Sequence, residues 1–240
     1  MTSAVHILAI AAHRDDVEQT CGGTLLKHAQ LGYRTAILDL TRGELGTRGT
    51  MQQRETEAND AARILQVSHR EALDIPDGAI DNSHENRIKV VRVLRQLRPD
   101  VVILPYWEAR HPDHYKSAPL GYEACFYAGL QKFDPEPGIA PHRPFKVLYA
   151  SLYADVRPTF VFDITAQFET RLQALLAYKS QYENQAEGGG IFVPREQIRT
   201  RLAAMASHYG QLAGVTYGEP FVQKEVGLED DLLQLPVRSM

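Results

Sequence analysis

The feature that most constrains this chain is a regular alternation of short apolar runs with longer stretches of helical periodicity. Residues 5–11, 35–40, 72–75, 101–105 and 147–152 have the length and composition of strands. The first and fourth are almost continuously apolar, the pattern of strands covered on both faces. Residues 22–31, 53–66, 85–98 and 116–132 fill the intervals as helices. The third of these carries Ile88, Val91, Leu94 and Leu97 on one stripe, with arginine and lysine opposite. It stops at Arg98-Pro99, because proline disfavours a helical conformation in the residue before it. Two further helices, 167–182 and 195–208, follow the fifth strand. Strand, helix and strand in succession require right-handed crossovers and therefore a mostly parallel sheet with helices on both faces.

Composition narrows the class. The chain has 240 residues, 44% hydrophobic and 23% charged, which suits one α/β domain spanning 1–240. Cys21 and Cys125 could form only one bridge, so a disulfide scaffold is excluded. A net charge of −4 lacks the electrostatic footprint of a nucleic-acid binder. Nothing approaches the roughly 20 apolar residues of a membrane span, and no basic segment precedes the apolar start. The expectation is a cytoplasmic protein with no membrane partner. Gly188-Gly189-Gly190 and residues 134–144 read as surface loops.

In open parallel sheets, ligands bind beyond the carboxyl ends of the strands, where strand order reverses. The segments leaving the first and fourth runs are His13-Arg14-Asp15-Asp16 and Arg110-His111-Pro112-Asp113-His114. His13 and Asp16, three apart, meet on one side of a turn entering a helix. His114 joins them from the equivalent edge of the sheet. Two imidazoles and a carboxylate are a common way to hold catalytic zinc with one position open, and a cation there lowers the pKa of bound water to about 7. Asp15, beside the ligand Asp16, is then free to act as general base. The bland alternative is that Asp15 or Asp16 merely caps the following helix. The second cluster at the matching edge favours the functional reading. Cys21 reads as a small buried thiol.

Three rivals are weaker. Asp39 ends the second strand where a ribose-binding acid sits in dinucleotide-binding proteins, but Gly22-Gly23 does not make their glycine fingerprint. A silent sugar- or metal-binding module has no need of the extra carboxylate at Asp15. A two-metal phosphoesterase needs bridging carboxylates that the sequence does not offer.

Ala12-His13-Arg14-Asp15-Asp16-Val17-Glu18, followed by Gly22-Gly23, resembles the Ala-His-Pro-Asp-Asp-x-Glu signature of the LmbE-like (PIG-L) zinc N-deacetylases. His111-Pro112-Asp113-His114 resembles their second motif. Thr41-Arg42-Gly43-Glu44, Arg54-Glu55-Thr56-Glu57-Ala58, Ala177-Tyr178-Lys179-Ser180-Gln181 and Tyr217-Gly218-Glu219-Pro220-Phe221 are similar to further family segments, so the likeness runs nearly the whole chain. The resemblance implies a Rossmann-like α/β sheet. It implies Zn2+, or another divalent transition metal such as Fe2+, on His13, Asp16 and His114, with Asp15 as base. His111 takes the role of oxyanion stabiliser and proton donor, and Asp113 orients a histidine ring. Arg54 matches an arginine that holds sugar hydroxyls, and Arg143 resembles a second substrate-facing arginine.

Within the family the chain is most similar to bacillithiol-pathway enzymes, which remove acetate from N-acetylglucosaminyl-malate. Arg110 and Arg143 are then the candidates for the malate carboxylates, since a guanidinium binds carboxylate bidentately. The alternatives are a deacetylase of another N-acetylglucosaminide and a non-catalytic module on the same fold. The expected partner is a small N-acetylated amino sugar, with a homo-oligomer, trimer or hexamer, expected by analogy. Arg14 departs from the family's proline and should loosen the turn. No counterpart is evident for the tyrosine that some relatives place near the oxyanion.

Overall fold

β1 (Ile7–Ala11) is buried along its whole length, and the alternation of its side chains sorts them between two cores. Leu8 and Ile10 pack with Val91, Leu94, Leu120 and Ala124 on one face. Ile7, Ala9 and Ala11 pack with Val17, Cys21 and Leu25 on the other. Covering both faces is what a parallel strand with unbroken apolar character requires. The computed structural model describes residues 4–134, 139–183 and 193–237. Gly188-Gly189-Gly190 and residues 135–138 of the expected 134–144 loop lie outside those residues.

β2 (Thr35–Asp39), β3 (His69–Ala72), β4 (Val101–Pro105) and β5 (Lys146–Ala150) run parallel to β1. β7 (Gly218–Val222) adds antiparallel to β5, and β6 (Phe160–Asp163) adds antiparallel to β7. The order is β3-β2-β1-β4-β5-β7-β6. Strand order reverses between β1 and β4, so the crevice beyond Ala11 and Pro105 is the place for a ligand. The mostly parallel α/β sheet agrees with the sequence; β6 and β7 are additions to it.

The helices are α1 (Asp16–Thr20), α2 (Gly22–Gln30), α3 (Met51–Ile64), α4 (His84–Leu97), α5 (Pro112–Ala128), α6 (Phe168–Leu176), α7 (Lys179–Tyr182) and α8 (Arg195–Leu212). The helix expected over 22–31 is present as α2, with a separate turn, α1, before it and a break in the chain at Cys21. Two expectations need correction. The helix expected over 167–182 divides into α6 and α7 at Ala177 and Tyr178. The third strand lies at His69–Ala72 rather than 72–75, because Leu73 and Ile75 carry the chain over the sheet's edge into the core. Among the described residues no helix is long and apolar enough to cross a membrane.

Candidate active site

β1 delivers its chain into the turn His13-Arg14-Asp15-Asp16. Asp16 Oδ2 accepts the backbone N–H of His13 at 2.9 Å and closes that turn. Asp15 sits at φ 90°, ψ −16°, a left-handed conformation that stores about 1–3 kcal/mol in a non-glycine residue. Neighbouring carboxylates thereby reach different partners: Asp16 meets the histidines, and Asp15 meets Arg54 and Tyr182. Arg14 does not loosen the turn as expected. Its buried guanidinium donates to the Met51 carbonyl at 3.0 Å and ties the turn to α3.

The second cluster is the start of a helix. His111 is the N-cap of α5, and its Nδ1 accepts the Asp113 backbone N–H at 3.2 Å. Pro112 follows at the first position, where a missing N–H costs nothing. That hydrogen bond leaves the proton of a neutral His111 on Nε2, so the ring presents a donor. Burial, with His13 and His114 nearby, lowers the His111 pKa and favours the neutral ring.

His13 Nδ1 lies 3.2 Å from His114 Nε2, Asp16 Oδ1 lies 3.3 Å from His114 Nε2, and Asp16 Oδ2 lies 3.7 Å from His13 Nδ1. Ligand atoms on a tetrahedral ion with bonds of about 2.0–2.1 Å stand about 3.3 Å apart. The two ring nitrogens and the two oxygens of the Asp16 carboxylate, one near each ring, are thus gathered at spacings close to the edges of one coordination sphere. His111 adds a ring nitrogen within 4.8 Å of those of His13 and His114. His13 Nε2 faces Asp77 Oδ1 at 3.0 Å and Asp113 Oδ2 at 3.3 Å, which fixes its proton there and turns the Nδ1 lone pair inward. Asp113 is held in turn by the N–H groups of Gly78 and Ile80, and Asp77 by that of Leu45.

The electrostatics suit a cation. Burial opposes a charge on His13, but its hydrogen bonds to Asp113 and Asp77 and the Asp16 carboxylate outweigh it and raise its pKa to about 10. Burial likewise opposes charge on Asp16, yet His114 and His13 hold its carboxyl down at about 2. Asp15 differs: burial pushes it up to about 7, against the pull of Arg54. Its Oδ2 accepts from the Tyr182 hydroxyl at 3.0 Å and Gln19 Nε2 at 3.3 Å.

The arginines are less uniform. Arg54 is 5% exposed and donates to the carbonyls of Arg14 at 3.0 Å and Gly43 at 3.3 Å, with Asp15 at 3.6 Å. It braces the loop and Asp15 instead of facing outward. Gly43, at φ 70°, is required beneath it, since a Cβ there would come within 2.2 Å of the guanidinium. Arg110 is exposed at the mouth, over the ring of Tyr153 at 5.2 Å. Arg143 is a correction. It donates to the Phe126 carbonyl, near the far end of α5 and below the start of β5. Fourteen helical residues separate that point from Pro112, so Arg143 lies about 20 Å from the His13–His114 pair.

Sequence reasoning missed Asp77 and Tyr182. Asp77 stands in the loop beyond β3, at the same sheet edge as His13, which was the available signal. Tyr182 directly follows the Ala177–Gln181 segment. That segment wedges against the site: Tyr178 donates to Glu18, Ser180 to Glu57, and Gln181 to the Arg48 carbonyl. Asp39 is already engaged by both Arg70 Nε and Nη2 at 2.9 Å, which removes it as a ribose ligand.

A Rossmann-like sheet with a His/Asp centre able to hold a metal, and the Asp15 carboxylate beside it, is an arrangement suited to metal-assisted hydrolysis. Residues 8–125 match the family model described as PIG-L: GlcNAc-PI de-N-acetylase. The diacetylchitobiose deacetylase of Thermococcus kodakarensis is 31% identical over 223 residues, covering 89% of this chain and 80% of that protein. A conserved protein of Thermus thermophilus superposes with a TM-score of 0.85 at 37% identity, covering 94% of this chain and 97% of its own. N,N'-diacetylchitobiose deacetylase from Pyrococcus horikoshii gives a TM-score of 0.80 at 28% identity, covering 91% and 83%. The chain belongs to the PIG-L family of deacetylases.

Proposed function

We propose that the protein hydrolyses the N-acetyl group of an N-acetylglucosamine conjugate, with a zinc-type divalent ion held by His13, Asp16 and His114. The observation that carries this reading is the 3.2–3.7 Å spacing of the His13 and His114 ring nitrogens and the Asp16 carboxylate, with Asp15 beside them and turned to Tyr182 and Arg54 instead of to the histidines. Such an ion supplies Lewis acidity to the amide carbonyl and acidity to water. Asp15 takes the proton of the attacking water on its carboxylate, while Tyr182 and Arg54 hold that carboxylate in place. His111 Nε2–H donates to the carbonyl oxygen as charge develops on it. Asp77 and Asp113 keep His13 in one tautomer. The proton held at Asp15 passes to the departing nitrogen, so water and amide become acetate and a free amine.

The finer reading is a malate aglycone. With Arg143 at the opposite edge, its support within this chain is Arg110 at the mouth. The Thermococcus relative favours a second N-acetylglucosamine instead. Amine release from plain N-acetylglucosamine, N,N'-diacetylchitobiose and N-acetylglucosaminyl-malate, with metal-loaded protein, tests both levels. Release from a conjugate is expected; silence on all three refutes the deacetylase reading. A malate conjugate no better than plain N-acetylglucosamine in kcat/KM removes the malate reading alone.

A further inference from the structure

The C-terminal ends of β1, β4 and β5 and the inner side of α1 enclose a cavity of about 20 Å³. Its walls are mostly apolar, with Cys21, Ile103, Ala109 and Leu152 among them, and Asp16 and His114 are the charged or titrating groups at its catalytic side. Neither Asp15 nor His111 reaches it. Thr20, also in the wall, directs its hydroxyl to the Asp16 carbonyl at 2.8 Å. Burial raises the Cys21 pKa and keeps the thiol neutral. The space is that of one water or one methyl group, but the walls offer a water few of the two to four partners it needs.

We propose that this cavity is the acyl pocket of the enzyme, which admits the methyl of an acetyl group and rejects longer acyl chains. The inference rests on the deacetylase reading and adds its acyl selectivity. A carbonyl carbon placed beside His13, Asp16 and His114 has two substituents that must diverge. The amine with its sugar needs the open side, where His111 and Arg110 are exposed. The acyl carbon points the other way, past Asp16 and His114, into the apolar recess. One methylene more or less in such a pocket changes kcat/KM by about 10–200-fold.

The test compares N-formyl-, N-acetyl-, N-propionyl- and N-butyrylglucosamine on the metal-loaded protein and on two variants. In the wild type, kcat/KM should fall at least about tenfold from acetyl to propionyl, and further to butyryl. Leu152→Ala should raise the butyryl-to-acetyl ratio. Ala109→Leu should fill the recess and lower the acetyl-to-formyl ratio. Ratios taken within one preparation cancel any difference in folded or metal-loaded fraction, so a merely structural effect leaves them unchanged. A flat acyl-length profile, or ratios in both variants equal to wild type, overturns the pocket while leaving the deacetylase intact. Failure to cleave any of the four amides while N,N'-diacetylchitobiose is cleaved overturns the pocket as drawn for the free sugar, and silence on the conjugates as well overturns both.

Discussion

Glu219 gives the most exacting test of how the fold supports the site. It is 1% exposed on β7, and its carboxylate accepts the N–H groups of Gly23 at 2.9 Å and Thr24 at 2.7 Å and the Thr24 hydroxyl at 2.6 Å. Those amides open α2, so the carboxylate satisfies two donors that the helix itself leaves unpaired and meets its positive end. Arg171 pairs with the same carboxylate at 3.1 Å and also donates to the carbonyls of Glu18 and Gln19 in α1. One side chain from the last strand thus pins the α1–α2 junction, and with it the short helix that begins at Asp16. The approach is close: a Cβ on Gly23 would stand 2.9 Å from Glu219 Oε1. Glu219→Ala leaves Arg171 buried without its counter-charge and two amides without partners. Removing one member of a buried pair costs about 3–5 kcal/mol. At about 2–4 °C per kcal/mol for a chain of this size, Tm should fall by roughly 6–20 °C. Glu219→Gln, which keeps one oxygen acceptor, should fall less. Thermal unfolding followed by circular dichroism measures both variants. A Glu219→Ala protein melting within about 2 °C of wild type would refute the assignment.

Other residues carry separable expectations. Asp15→Asn keeps the shape but cannot take the proton, so kcat should drop by ~10²–10⁴ while metal content stays at the wild-type level; unchanged turnover removes Asp15 from the mechanism. Arg110→Ala should cost about 1.5–3 kcal/mol in kcat/KM for a carboxylate-bearing conjugate, roughly 10- to 150-fold, and spare plain N-acetylglucosamine. Arg143→Ala should leave both substrates unaffected in steady-state kinetics, and a selective loss for the malate conjugate would contradict its placement at the opposite edge.

The central parallel strands were legible because burial on both faces writes itself as continuous apolar sequence, as in Ile7–Ala11 and Val101–Pro105. β3, a half-buried edge strand reading His-Arg-Glu-Ala, carries no such mark. β7 includes Glu219 and Pro220, and its charge is explained by a helix terminus almost 200 residues earlier, which no local pattern encodes. The site was legible where its residues share one turn: His13 with Asp16, and His111 with His114. Asp77 and Tyr182 reach the site through tertiary packing and carry no motif of their own. Arg143 shows the reverse error, because a residue just before a parallel strand must lie at the edge opposite the carboxyl ends, whatever its resemblance suggests. Arg54, expected to hold sugar hydroxyls, instead lies inside the loop beside Asp15, where the glycine at position 43 makes room for its guanidinium.

In the proposed mechanism His13, Asp16 and His114 jointly hold one divalent metal ion on which hydrolysis depends. Elemental analysis of purified wild type and His114→Ala, with amine release measured on the same samples, tests it most directly. About one zinc-type ion is expected per wild-type chain, and metal and activity should be lost together in His114→Ala at a wild-type fold by circular dichroism. A His114→Ala protein that retains its full metal complement would contradict it.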